Sequence, residues 1–174
     1  MCVRIESVMM TEAEKRLKRV CFTGHRPAKL HASEAAVKAA LATEIKRAYD
    51  EGYRTFITGM AQGVDIWAGE LVLQLRSQDS SVRLICALPF PGFGDSWSPE
   101  WRQRYHAVLT QADLTREISA HYSMATFQKR NEWMVDHAAR VIAVYNGDPK
   151  SGTKNTIVYA EKQGVPVVYA KGWD

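Results

Sequence analysis

Hydrophobic residues follow two alternating patterns along the chain. Short continuous apolar runs are typical of strands buried on both faces, and segments with an apolar residue every three or four positions are typical of amphipathic helices. Strands are therefore predicted at 19–23, 54–58, 82–88, 115–119, 140–145 and 165–169. Helices are predicted at 34–51, 65–78, 99–112, 126–138 and 154–163.

Residues at the ends of these segments support the assignment. Ser33 suits the N-cap of the first long helix, Pro99 suits the first turn of another, and Gly52 and Gly164 suit helix ends. Strands that alternate with long helices form βαβ units, which build a parallel sheet covered on both faces. The predicted fold class is α/β, a Rossmann-like three-layer α/β/α arrangement with a mostly parallel sheet.

The predicted organisation is a leader over residues 1–18, followed by a single Rossmann-like domain over 19–174. Within the leader, the charged stretch 11–19 is either a short helix or a frayed end. No apolar run reaches the roughly 18–20 residues that span a bilayer, and no secretory signal is recognised. We therefore expect a cytoplasmic protein without a membrane partner.

Composition narrows the choice of ligand only slightly. With 46% hydrophobic and 24% charged residues, the 174-residue chain resembles an ordinary globular protein. The net charge of +4 suits a phosphate-bearing ligand or nucleic acid, although no dense block of basic residues is present. Cys2, Cys21 and Cys86 form no C-x-x-C pair, which predicts buried thiols rather than a disulfide frame or a zinc site.

Four loops follow strands, and the carboxyl ends of parallel strands bring such loops to one edge of the sheet. The first loop contains Thr23, Gly24, His25 and Arg26. Gly24 permits a close backbone approach or a positive φ, and Arg26 can bind a phosphate or carboxylate through two parallel hydrogen bonds. The alternative is a tight turn with a solvated arginine.

The second loop has the pattern G-x-x-x-G-x-D, with Gly59, Met60, Gly63 and Asp65 as candidate ligand-binding residues. It lacks both the dinucleotide fingerprint and the Walker lysine, but two glycines leading into a helix suit a phosphate. Asp65 caps this helix, contacts a ribose hydroxyl or does both, and the hydroxyl is the expected contact because a carboxylate repels phosphate.

The third loop, 89–101, begins with Pro89 and Phe90 and contains further aromatic residues. Its rings either stack on a base or close over a ligand, or they pack as core at the edge of the sheet.

The fourth loop, 146–153, brings Gly147, Ser151, Gly152 and Thr153 to the start of a predicted helix. Free backbone N–H groups and the helix dipole favour an anion there. Helix capping alone would also explain Thr153.

Arg130 precedes Met134 by one helical turn, which puts it on the apolar side of a predicted helix. A partly covered arginine needs an anionic partner, either a carboxylate or the ligand. No metal site is predicted, because the histidines in the second half of the chain show no metal-ligand spacing. These histidines are His106, His121 and His137.

In their order and spacing, these motifs resemble those of the YpsA-like family of bacterial and phage proteins of unknown function. The family belongs to the SLOG superfamily, with the LOG enzymes and the Smf/DprA DNA-processing proteins. The matching segments are 23–27 (TGHRP), 58–65 (TGMAQGVD), 130–136 (RNEWMVD), 151–153 (SGT) and 159–160 (YA). The resemblance implies that 19–174 is a nucleotide-binding domain. Its partner would be a nucleotide, ADP-ribose or an NAD-like molecule, with no required cofactor, and a homodimer is expected.

Three functions stay open at this point. The first is the binding or sensing of such a ligand at the loops. The second is hydrolysis of its N-glycosidic or phosphoester bond, with Arg130 and Asp65 as the catalytic pair, although LOG-type enzymes have a glutamate where this chain has Thr156. The third is single-stranded DNA binding, as in the DNA-processing relatives. Whether the chain is an enzyme is thus undecided by its sequence.

Overall fold

The computed structural model describes residues 9–174, so Cys2 and the first part of the predicted leader lie outside the described residues. One six-stranded sheet forms the centre, in the order β4-β3-β2-β1-β5-β6. All neighbouring strands are parallel. The strands are β1 (Arg19–Gly24), β2 (Thr55–Thr58), β3 (Arg83–Leu88), β4 (Leu114–Glu117), β5 (Arg140–Val144) and β6 (Val167–Tyr169). The predicted α/β fold class is confirmed.

The first helix precedes β1, and each later helix joins two successive strands. The helices are α1 (Glu12–Arg16), α2 (Glu34–Asp50), α3 (Val64–Gln78), α4 (Pro99–Leu109), α5 (Thr126–Asp136) and α6 (Gly152–Lys162). The side chain of Ser33 caps α2 by accepting a hydrogen bond from the N–H of Ala36, as predicted. The stretch for which the sequence left a helix or a frayed end open contains α1, whose N-cap Thr11 and Glu14 form a capping box.

Two helices begin earlier than predicted. Helix α3 begins at Val64 after the N-cap Gly63, and α6 begins at Gly152 after the N-cap Ser151. Two other helices end early, α4 at Leu109 and α5 at Asp136. Each of these helix ends differs from its predicted position by three residues or fewer, because local end signals define a helix terminus less sharply than the tertiary contacts do.

The two faces of the sheet carry separate cores. Helices α2, α3 and α4 pack on one face, where strand residues such as Phe22 and Phe56 are fully buried. Helices α5 and α6 pack on the other face, where Cys21 and Ile57 are fully buried beside Met134. Adjacent strand residues thus point to opposite layers, which is why the strands are continuous apolar runs.

The strand order reverses between β1 and β5. The chain leaves β1 towards α2 on one face and leaves β5 towards α6 on the other face. A crevice opens beyond the carboxyl ends of the strands at such a reversal, and ligands of open α/β sheets bind there. Within residues 9–174, no helix is long and apolar enough to cross a membrane.

Candidate functional site

A pocket of about 380 Å³ lies beyond the carboxyl ends of β1 and β5. It therefore occupies the crevice where the strand order reverses. Residues from the first, second and fourth loops and from α5 line it. They are Phe22, Thr23, Gly24, His25, Arg26, Lys29, Ala61, Asp65, Phe127, Arg130, Asn131, Met134, Ser151, Gly152 and Thr153.

Arg130 is the central cation of this pocket, and only 5% of its surface is exposed. Its Nη1 donates to the carbonyl oxygen of Gly59, and its Nε donates to Oδ1 of Asn131 at 2.8 Å. Its Nη2 has no hydrogen-bond partner among the described residues. Burial lowers the pKa of Arg130, and the nearby carboxylate of Asp65 opposes that shift. A buried guanidinium with an unused donor at a pocket wall can bind an anion.

Asp65 is the one carboxylate among the residues that line the pocket. Its Oδ2 accepts a hydrogen bond from the backbone N–H of Ala61 at 3.2 Å. Burial raises the pKa of Asp65, while the charge of Arg130 lowers it. The capping role offered for Asp65 is wrong, because Gly63 holds the N-cap position and Asp65 lies in the first turn of α3.

Gly59 holds the backbone between these two opposite charges. A Cβ atom at this position would lie 2.7 Å from Nη1 of Arg130 and 2.8 Å from Oδ2 of Asp65. Gly24 is similarly close to Val64, whose Cβ would lie 2.5 Å from an added Cβ. Both glycines are therefore required by a close approach, and Gly24 does not adopt a positive φ.

His25 is buried at the side of the pocket formed by β1. Its Nε2 accepts a hydrogen bond from the backbone N–H of Asn146 at 3.3 Å, and its ring stacks on that of Tyr145. Burial lowers the pKa of His25, so the neutral imidazole is favoured near neutral pH. His25 thus joins the first and fourth loops across the crevice.

The N-terminus of α6 forms the opposite side of the pocket. Ser151 caps it, because its Oγ accepts a hydrogen bond from the N–H of Lys154 at 3.1 Å. Capping by Thr153 is therefore a wrong prediction, since the helix begins one residue before it. The backbone N–H groups of Gly152 and Thr153 have no partner among residues 9–174. Such unpaired groups at a helix N-terminus favour an anion.

Two exposed cations complete the charge distribution. Lys29 pairs with Asp148 at 3.2 Å across the mouth of the pocket. The charge of Arg26 helps to lower the pKa of Arg130, because the two guanidinium groups repel each other. Three cations, Arg26, Lys29 and Arg130, thus line the pocket with one carboxylate, that of Asp65.

Several predicted residues lie outside the pocket lining. Gly59 accepts a hydrogen bond from Arg130 through its carbonyl oxygen, and Gly63 is the N-cap residue of α3. The Met60 side chain is fully buried in the core. Pro89 lies beyond the lining residues, and Gly147 lies in the loop before α6 with a φ of 89°.

The aromatic third loop packs mainly as core. Phe93 is buried, and its ring meets the rings of Trp97 and Tyr105 edge-on. Phe90 meets Phe93 and Phe127 in the same way. Of the alternatives offered for this loop, packing at the edge of the sheet describes most of its rings.

Helix α5 supplies three lining residues that the sequence reasoning missed. Phe127, Asn131 and Met134 stand at helical spacing around Arg130 and face the same pocket. That spacing was visible in the sequence and could have found them. Lys29 was missed because its approach depends on the turn at Pro27–Lys29.

Thr156, which stands where LOG-type enzymes have a glutamate, is not among the residues that line this pocket. Thr156 is fully buried, and its Oγ1 donates to the carbonyl oxygen of Gly152 at 2.9 Å. Among residues 9–174, no cluster of histidine, cysteine, aspartate or glutamate side chains could hold a metal ion. Cys21 and Cys86 are buried, and burial raises the pKa of both thiols.

Comparison with solved structures finds a protein with the same fold. DNA processing protein A from Helicobacter pylori, described for its single-stranded DNA binding mode, superposes with a TM-score of 0.62 at 22% identity. The alignment covers 91% of this chain but 66% of that one, so the chain spans less than two thirds of the neighbour's length. At this identity the likeness shows the fold alone.

Relatives by sequence come from bacteria and a prophage. The uncharacterized SPbeta prophage-derived protein YoqJ of Bacillus subtilis (strain 168) is 36% identical over 119 residues, which cover 62% of this chain and 69% of YoqJ. A UPF0398 protein of Bacillus cereus (strain G9842) is 24% identical over 156 residues, which cover 85% of each chain. A model of the YspA SLOG family, named YpsA, matches residues 20–170. This match spans nearly all of the described chain, and the protein therefore belongs to the YspA SLOG family, as its motifs indicate.

Proposed function

We propose that the pocket binds a nucleotide or a nucleotide-derived molecule through its phosphate and sugar. The observation that carries this proposal is Arg130, a buried arginine whose Nη2 has no hydrogen-bond partner among residues 9–174, at a pocket that also contains the N-terminus of α6. Burying a guanidinium is costly unless an anion compensates for the lost water. Asp65 supplies part of that compensation, and the Nη2 donor, which has no partner among residues 9–174, is left for an anionic group of the ligand.

The phosphate fits best at the start of α6. The free N–H groups of Gly152 and Thr153 and the positive end of the helix dipole favour a negative charge there. Arg26 and Lys29 add exposed cations at the mouth. Asp65 repels a phosphate and is therefore better suited to accept a hydrogen bond from a sugar hydroxyl.

Binding alone is favoured over hydrolysis of the ligand. Hydrolysis of an N-glycosidic or phosphoester bond needs an acid or base at the reacting atoms, and Asp65 is the one carboxylate among the lining residues. Its Oδ2 accepts a hydrogen bond from the N–H of Ala61. Thr156 is buried in the core and does not line the pocket.

Single-stranded DNA is the second candidate ligand. The observation that favours it is the fold shared with DNA processing protein A, together with the exposed cations Arg26 and Lys29. A strand would lie across the mouth and release counterions from several phosphates, so its affinity would fall steeply with salt.

Isothermal titration calorimetry with AMP, ADP-ribose and NAD tests the proposal. We expect at least one to bind, and Arg26→Ala to weaken binding by about tenfold through loss of a charge-assisted hydrogen bond. Arg47→Ala is the matched control, because Arg47 is an exposed arginine of α2 outside the pocket lining. Chromatography of the same mixtures is expected to show intact ligand.

Absence of binding by all three compounds would overturn the proposal. An equal loss of affinity in Arg26→Ala and Arg47→Ala would mean that binding is only a general charge effect. Release of free base or phosphate by the wild type would favour the hydrolase alternative.

A further inference from the structure

Three aromatic rings stand together beside the pocket, from Phe90, Tyr122 and Phe127. Their planes are nearly perpendicular, with centroids 5.5 Å apart for Phe90 and Tyr122, 6.0 Å for Phe90 and Phe127, and 6.4 Å for Tyr122 and Phe127. Phe127 lines the pocket. The cluster, which we call the ring cluster, is therefore continuous with the proposed ligand site.

The outer part of the ring cluster is open to solvent. Tyr122 is 62% exposed, and Met124, two residues further along, is 91% exposed. Both lie in the segment between β4 and α5. Isolated exposed apolar residues are ordinary, but the ring of Tyr122 contacts that of Phe127, so an aromatic surface runs from the pocket lining to the solvent.

Helix α5 relates the ring cluster to the cationic end of the pocket. Phe127 precedes Arg130 by three residues, which is about 4.5 Å along the helix axis and on the same face. The ring of Tyr122 lies against that of Phe127, with centroids 6.4 Å apart, and is not itself among the lining residues. A ligand held near Arg130 that extends towards the start of α5 thus meets Phe127 first and then Tyr122.

We propose that the ring cluster is the subsite for the base of the bound nucleotide, which packs against Phe127 and Tyr122. This inference rests on the proposed function, because the phosphate and sugar fix the direction in which the base extends. Flat aromatic bases stack on aromatic side chains whatever their hydrogen-bonding edges are. The Tyr122 hydroxyl is the single polar group of the three rings, so the subsite accepts both purines and pyrimidines. It favours a ligand that carries a base over one that has only the phosphate and sugar.

The test compares AMP with ribose 5-phosphate, which has the same phosphate and sugar but no base. Tyr122→Ala is expected to weaken AMP binding by about tenfold, in the range for loss of one stacking partner, and to leave ribose 5-phosphate binding unchanged. Tyr122→Phe keeps the ring and is expected to bind AMP as the wild type does. Tyr169→Ala is the matched control, because Tyr169 is an exposed tyrosine of β6, at the edge of the sheet opposite to β4.

Each other outcome overturns a distinct statement. If the wild type binds both probes and Tyr122→Ala binds AMP normally, the base subsite is wrong and the proposed function stands. If the wild type binds neither probe, the proposed function fails and the subsite fails with it. If the wild type binds an oligothymidylate in a Tyr122-dependent way but not AMP, the rings stack on a DNA strand, and the inference of a mononucleotide base is overturned.

Discussion

Replacing Gly59 with alanine perturbs the contact on which the pocket depends. The added Cβ would meet Nη1 of Arg130 at 2.7 Å and Oδ2 of Asp65 at 2.8 Å, both closer than real Cβ contacts. Gly59 does not adopt a positive φ, so alanine is acceptable to the backbone itself. The guanidinium has to move, and its hydrogen bond to the Gly59 carbonyl is weakened or lost.

The magnitude follows from that hydrogen bond. A hydrogen bond to a charged group contributes about 1.5–3 kcal/mol to the free energy of unfolding. Alanine in place of glycine increases it by about 0.4–1 kcal/mol, because alanine restricts the unfolded chain. The free energy of unfolding should therefore fall by about 1–2 kcal/mol. For a domain of this size, that corresponds to a decrease of about 2–8 °C in Tm.

Urea denaturation of Gly59→Ala beside Gly152→Ala measures the effect. Gly152 is the matched control, because within residues 9–174 its added Cβ would meet nothing within 4 Å beyond its chain neighbours and its own helix, and its φ is not positive. We expect Gly152→Ala to be as stable as the wild type or more stable by about 0.4–1 kcal/mol. If Gly59→Ala were as stable as Gly152→Ala, the described packing of Arg130 and Asp65 around Gly59 would be refuted.

Three further predictions concern the surroundings of the pocket. Ser151→Ala removes the cap from the N–H of Lys154 and should lower the free energy of unfolding by about 1 kcal/mol in urea denaturation, whereas an unchanged value would contradict the capping role. Burial lowers the pKa of His25 below 6.5, so on acidification its imidazole takes up a proton at a higher pH in the unfolded chain than in the folded one. Tm should therefore fall as pH decreases from 7.5 to 5.5. His25→Asn should flatten that slope, and a slope equal to the wild type's would exclude His25 as its source. Arg104→Met breaks ion pairs to Glu34 at 2.6 Å and Glu70 at 2.8 Å that join α2, α3 and α4. The free energy of unfolding should fall by about 1 kcal/mol in low salt and by less in 1 M NaCl. A loss of stability that salt leaves unchanged would point to packing instead.

The fold was predictable because the strands are buried on both faces. Segments such as 141–145 are apolar throughout, and only a sheet with helices on both sides buries such a strand completely. The edge strand β4 is exposed at all four positions, so its apolar signal is weak and its predicted bounds were shifted. Tertiary pairing with β3, rather than the local pattern, defines where β4 begins and ends.

The candidate site was predictable at its loops and much less so in its contacts. The glycine loops followed strands, and the topology gathers the carboxyl ends of parallel strands at one edge. In contrast, Arg130 meets the Gly59 carbonyl from 71 positions away, and no local pattern encodes that contact. Local preferences also fail to separate Ser151 from Thr153, since both residue types are good N-caps.

The most direct test of the central claim is a crystal structure of the protein with AMP. The account predicts a phosphate within hydrogen-bond distance of the N–H groups of Gly152 and Thr153, with Nη2 of Arg130 directed at the ligand. A nucleotide bound elsewhere on the surface, or a phosphate in the pocket that contacts neither α6 nor Arg130, would contradict it.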